Sequence, residues 1–102
     1  MIERNFEKIK GNNFILIPGW AVKEFKLKGN ELIIYSCIYG FSQEIGTYFT
    51  GSCQYLADWT CSSLESVRLI LKKLVDSELI IKHKDGLNVK YNVNYSKLPI
   101  AK

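Results

Sequence analysis

The chain has 102 residues, 47% hydrophobic and 24% charged, fractions close to those of an ordinary globular domain, which excludes a disordered tail, a collagenous chain or a low-complexity segment. A domain of this length buries roughly two-thirds of its unfolded surface, enough for one core without metal or disulfide staples and too little for two domains. Fourteen bases against ten acids give +4, but the excess is uneven: the two signs cancel over residues 1–81, whereas Lys82, Lys84, Lys90, Lys97 and Lys102 are opposed only by Asp85 in the remainder. A polyanion would therefore be met by the C-terminal end.

Residues 1–13, closing on Gly11-Asn12-Asn13, form a polar lead-in unlike a secretory leader. Phe14-Ile15-Leu16-Ile17, stopped by Pro18-Gly19, predicts a short strand and a turn. Over residues 20–28, Trp20 or Ala21 with Phe25 and Leu27 predicts one short helix face, and Gly29-Asn30 breaks the chain. Residues 31–41 are apolar nearly all round, the pattern of a helix buried on most sides or hiding one side against a partner. The longest apolar stretch, 32–39, is interrupted by Ser36 and far short of the ~20 residues of a membrane span.

Thr47-Tyr48-Phe49-Thr50 is β-prone, and Ser52 suits the N-cap of a helix over 53–59 that sets Tyr55, Leu56 and Trp59 on one face. After a break at Thr60-Cys61, Ser62-Ser63-Leu64-Glu65 matches the capping box, in which hydroxyl and carboxylate satisfy first-turn amides reciprocally. Behind it Leu64, Val67, Ile70, Leu71 and Leu74 follow helical spacing, predicting an amphipathic helix over about 62–77. A hairpin over about 79–95 follows. Its Asp85-Gly86 suits a two-residue type I′ turn that would set Lys84 opposite Leu87, Lys82 opposite Val89 and Ile80 opposite Tyr91. Leu87, Val89, Tyr91, Val93 and Tyr95 alternate with polar residues, the mark of a half-buried strand. The residues divide into the lead-in 1–13, one domain over 14–98 and a tail, 99–102.

The predicted order is that of an α+β winged helix-turn-helix: a three-helix core with a C-terminal β-hairpin wing, plus a short N-terminal strand and helix. Residues 55–80, YLADWTCSSLESVRLILKKLVDSELI, resemble the "LA…(S/T)…V…LKKLv..gLI" pattern of bacterial winged-helix DNA-binding domains. Phe14-Ile-Leu-Ile-Pro18, Leu27-Lys-Gly-Asn-Glu-Leu-Ile-Ile-Tyr35, Ile38-Tyr-Gly-Phe-Ser42 and Phe49-Thr-Gly-Ser52 resemble the N-terminal domain of replication initiator A and DnaD-type proteins of Gram-positive plasmids, phages and mobile elements. That resemblance implies duplex DNA binding in replication initiation. The chain departs from the pattern where it offers serines and a glutamate instead of Arg or Lys at the front of the recognition helix, and where Glu78 replaces the glycine common before the wing.

In helix-turn-helix docking the first turn of the second helix reaches base edges in the major groove. Carried onto this chain, Ser62, Ser63, Glu65, Ser66 and Leu69 take the outward positions, while Arg68, Lys72 and Lys73 reach phosphates. At the hairpin Lys82, Lys84 and Lys90, with His83 beside them, touch the flanking backbone, a salt-sensitive contact without sequence information. Simpler roles exist for each: Glu65 as a cap, Lys72 and Lys73 as a solvated face, and basic tip residues as protection of an exposed sheet edge. Tyr55, Trp59, Tyr91 and Tyr95 read as core residues, not as a stacking platform for single strands.

No catalytic residue is expected, because the one histidine, His83, and the lack of a phosphate loop or G-x-S-x-G motif leave nothing to activate a nucleophile. No cofactor and no metal are expected either. Cys37, Cys53 and Cys61, odd in number and without C-x-x-C spacing, read as small packing residues of a reducing cytoplasm. Double-stranded DNA is the expected partner, and no membrane is. The alternatives for this chain are a transcriptional regulator of the same fold, or an assembly module of a replication complex that joins replication proteins, with a homodimer through helix 31–41 as the expected self-association.

Overall fold

The computed structural model describes residues 14–99. The order is α1 (Gly19–Lys23), α2 (Gly29–Phe41), α3 (Cys53–Thr60), α4 (Leu64–Asp76), β1 (Ile80–Asp85), β2 (Asn88–Val93) and a 3-10 turn at Tyr95–Lys97. The predicted lead-in and the end of the tail, 100–102, lie outside the described residues. Four helices and a C-terminal antiparallel hairpin make an α+β domain.

Helix α2 is the centre of the core. Its Ile34, Tyr35, Ser36, Cys37 and Ile38 are consecutive and all buried, which requires neighbours around the helix, and α1, α3, α4 and β2 supply them. The all-round apolar pattern is thus satisfied within the chain. Trp20 of α1 packs edge-on against Phe25, Tyr35 and Tyr39 at 5.6, 5.9 and 5.3 Å between ring centroids, the arrangement favoured by the ring quadrupoles.

Two expectations for the N-terminal part fail. Residues 14–17 form no strand: no strand among the described residues pairs with the run, and Phe14, Leu16 and Ile17 stay largely exposed. A β-prone run is only an offer of pairing. The helix predicted over 20–28 stops at Lys23, and Lys26 takes a left-handed φ of 60° that turns the chain so that Leu27 is buried beneath it. Helix α2 begins at Gly29, inside the predicted break.

The β-prone segment 47–50 contributes one isolated antiparallel bridge, Phe49 to Tyr91, with both amides donating across it at 2.7 and 2.9 Å. The Phe49 ring is buried against Phe41 and Tyr55, at 5.5 and 5.7 Å. A Cβ on Gly51 would lie 2.6 Å from that ring, so glycine is what lets the chain fold back over it.

The hairpin register also differs from expectation. Asp85 pairs with Asn88, Lys84 with Val89, Lys82 with Tyr91 and Ile80 with Val93, so the turn residues are Gly86 and Leu87, one step later than predicted. Positive φ at Gly86 (65°) without positive φ at Leu87 is the type II′ sign pattern, not type I′. Partners move by two residues, and because side chains alternate with period two, every residue keeps its face. The later register joins Ile80 to Val93, both fully buried, at the base.

Helix α4 ends where Glu78, not glycine, adopts a left-handed φ of 65°. Such a conformation costs a non-glycine residue about 1 kcal/mol or more, and the exposed ion pair to Lys97, 3.5 Å away, offsets little of it. Glu78→Gly is expected to stabilise the fold by about 0.5–1 kcal/mol, read as a higher urea midpoint at unchanged m-value; a lower midpoint would show the ion pair to be the larger effect.

Candidate nucleic-acid interface

Helices α3 and α4 are joined by a three-residue turn whose chemistry is local. Ser52 caps α3, its Oγ accepting the Tyr55 N–H at 3.2 Å, as expected. Cys61 takes the left-handed position after α3 (φ 51°) and donates its N–H to Ala57, closing the helix. The predicted capping box Ser62-x-x-Glu65 does not form. Ser62 Oγ instead meets Thr60 Oγ1 at 2.6 Å, and Ser63 is the cap of α4, accepting the Ser66 N–H at 3.1 Å. Glu65 remains in the first turn, exposed, where its charge suits the helix dipole.

Val67, Leu71 and Leu74 anchor α4 in the core. Successive residues turn 100° about the axis, so Glu65, Arg68 and Lys72 share the side toward the hairpin, Ser66, Ile70 and Lys73 share the other, and Leu69 stands between Lys72 and Lys73 on the solvent side. Between α4, the hairpin and the start of α3 lies an open cleft of about 780 Å³. Arg68 and Lys72 line it from α4 and Lys82 from β1; Leu71, Val75, Val89 and Tyr91 give it apolar walls, and Thr50 to Cys53 close one end. Lys72 also holds Asp76 at 3.0 Å, with both side chains mostly in solvent, a pair too weak to compete with a phosphate.

The predicted site residues therefore divide. Arg68, Lys72 and Lys82 converge on one cleft, with Ser63, Glu65 and the 63%-exposed Leu69 on the adjoining surface of α4. By strand alternation Lys84 shares the face of Lys82. Lys73 does not join them: its Nζ is hydrogen-bonded to Glu31 Oε2 at the start of α2. Lys90 lies on the opposite hairpin face, paired with His83, its Nζ 4.0 Å above the Tyr48 ring. There His83 Nε2 also meets Asn92 Oδ1 at 2.9 Å. Ser62 and Ser66 are half-buried at the turn. Sequence reasoning missed Tyr48, which the β-prone run could have suggested, and Leu87, which no polar-residue search would find.

Tyr55, Trp59, Tyr91 and Tyr95 are half-buried and packed on the core, as expected. Burial pushes the Cys37 thiol up to about 11 and raises the Tyr91 hydroxyl above its ordinary value. Both therefore stay protonated near neutral pH. A second hollow of about 520 Å³ lies where Phe14, Ile15 and Leu16 cross Cys37, Phe41 and Tyr55. Ser36 lines it too, with its Oγ buried and without a hydrogen-bond partner. Among the described residues no group of His, Cys, Asp and Glu could hold a metal ion, and no helix is long and apolar enough to cross a membrane.

Compared with known proteins, the chain matches no family model, no curated protein and no solved structure.

Proposed function

We propose that the chain is a cytoplasmic winged-helix domain that binds double-stranded DNA, with α4 as recognition helix and the β1–β2 hairpin as wing, acting in replication initiation of a plasmid, phage or integrated element. The observation that carries this reading is the meeting of Arg68 and Lys72 from α4 with Lys82 from the hairpin around one cleft. Three cations from two elements, beside a helix thin enough for the major groove, match a phosphate backbone running between helix and wing. Ser63 and Leu69 face the base edges, a hydroxyl that suits several bases and an apolar group that suits the thymine methyl. Glu65 carries the wrong sign for phosphates and serves as a first-turn anion of α4. The replication role rests on the phrase-level resemblance alone, and a transcriptional regulator would use the same surface.

Three phosphate contacts imply a slope of log K against log salt of about −3 for a mixed-sequence duplex. Fluorescence anisotropy of a labelled duplex across a salt series measures it. A flat plot, or no binding at about 50 mM salt, removes the DNA reading.

A second reading has its own observation. Phe14, Leu16 and Phe41 leave apolar surface around the second hollow, where a replication protein or a second copy meeting the end of α2 would bury it. This surface lies apart from the cationic cleft, so the two roles are compatible.

A further inference from the structure

Leu87 is the most exposed large hydrophobic side chain described, 99% accessible, at the tip of the hairpin. It adds nothing to the core. The turn does not call for it either, since type II′ geometry constrains only the preceding Gly86 and any residue serves at the second position. Its setting is specific: Leu87 stands at the rim of the cleft that Arg68, Lys72 and Lys82 line. Ile45, nearly as bare at 87%, does not line that cleft. Asp85, the one acid near the tip, falls by alternation on the opposite hairpin face with His83 and Lys90.

From this juxtaposition we infer that Leu87 is an apolar wedge that enters the minor groove and partly unstacks one base step, bending the duplex at the wing. The inference rests on the DNA-binding reading. The cations hold phosphate on the cleft side of the tip, and the apolar surfaces a duplex offers there are the stacked faces of its bases. Leucine is among the side chains used as such wedges, and the unstacking they require is offset by the extra backbone contact that bent DNA makes. Flexible pyrimidine–purine steps open at lower cost than stiff A-tracts. The wedge thus supplies a preference for TA and CA steps that a serine-fronted recognition helix does not.

The test uses short duplexes with a donor and acceptor dye at their ends and 2-aminopurine at a central TA step, bound by the unaltered chain and by Leu87→Ser. A fully exposed turn residue tolerates this change within about 0.5 kcal/mol of stability, so folding is not in question. The unaltered chain is expected to shorten the end-to-end distance and raise the 2-aminopurine emission. Leu87→Ser is expected to keep the salt slope, lose both signals, and bind the TA duplex about tenfold more weakly while its affinity for an A-tract stays the same. A duplex left straight by the unaltered chain, with the salt slope intact, overturns the wedge and spares the DNA reading; no binding to any duplex overturns both. Equal bending by both proteins also overturns it, as does a Leu87→Ser effect confined to self-association in sedimentation, which would make Leu87 a protein anchor.

Discussion

Replacing Arg68, Lys72 and Lys82 together by alanine is expected to weaken duplex binding by about a hundredfold or more near physiological salt and to flatten the salt dependence almost completely. Each neutralised phosphate contributes about 0.9 to the slope, so the single variants should each reduce it by about one unit and cost roughly five- to tenfold in affinity. The three positions lie on the surface or at the cleft margin, so circular dichroism and thermal midpoints should change little. The informative comparison is Lys73→Ala. Lys73 neighbours Lys72 in sequence but is engaged with Glu31 on the other side of α4, and its removal is expected to change affinity less than twofold, within the small effect of one screened surface charge. Equal losses from Lys72→Ala and Lys73→Ala would mean that binding follows net charge and not the cleft.

Phe49→Ala is expected to destabilise the fold by about 3–5 kcal/mol, the range for truncating a fully buried phenylalanine. The ring is 2% exposed, enclosed by Phe41 and Tyr55 and by Gly51, so the cavity cannot collapse without moving the segment that bridges to Tyr91. That amount is a large share of the stability of a small domain. Urea denaturation at matched m-values measures it. A loss under about 1 kcal/mol would show that the 47–50 segment is peripheral, and the hairpin would then be held to the core by its base alone.

The sequence and the structure agree best where the signal is periodic or a cap acts locally. The inward faces of α3 and α4, the Ser52 cap and the alternation of β2 were legible because each depends on residues a turn or two away. They part where competition decides. Ser62 and Ser63 are equally good caps, and only the hydroxyl of Thr60, which engages Ser62, leaves the role to Ser63. The hairpin turn moved by one residue because closing Ile80 against Val93 and bridging Tyr91 to Phe49 outweighs the preference for Asp-Gly in the turn. Residues 14–17 carry strand propensity but meet no partner strand, a fact that lives elsewhere in the chain. For the candidate site, helical geometry already separates Lys72 from Lys73 by 100° and strand alternation separates Lys82 from Lys90. Pooling the lysines by charge hid a division that periodicity could have revealed.

Ser42, just past α2, is fully buried: its Oγ donates to the Ile38 carbonyl and accepts the Val93 N–H, while the Tyr95 hydroxyl donates to its carbonyl and to that of Glu44. The hairpin is thereby fastened at its root to the end of the central helix. Its pitch relative to α4 is then inherited from α2, a rod that stands behind the cleft and helps hold both of its jaws. Whatever displaces the last turn of that rod, a repacked Ile38 or a neighbour pressing on Phe41, changes the span between the jaws without touching any cation that lines it.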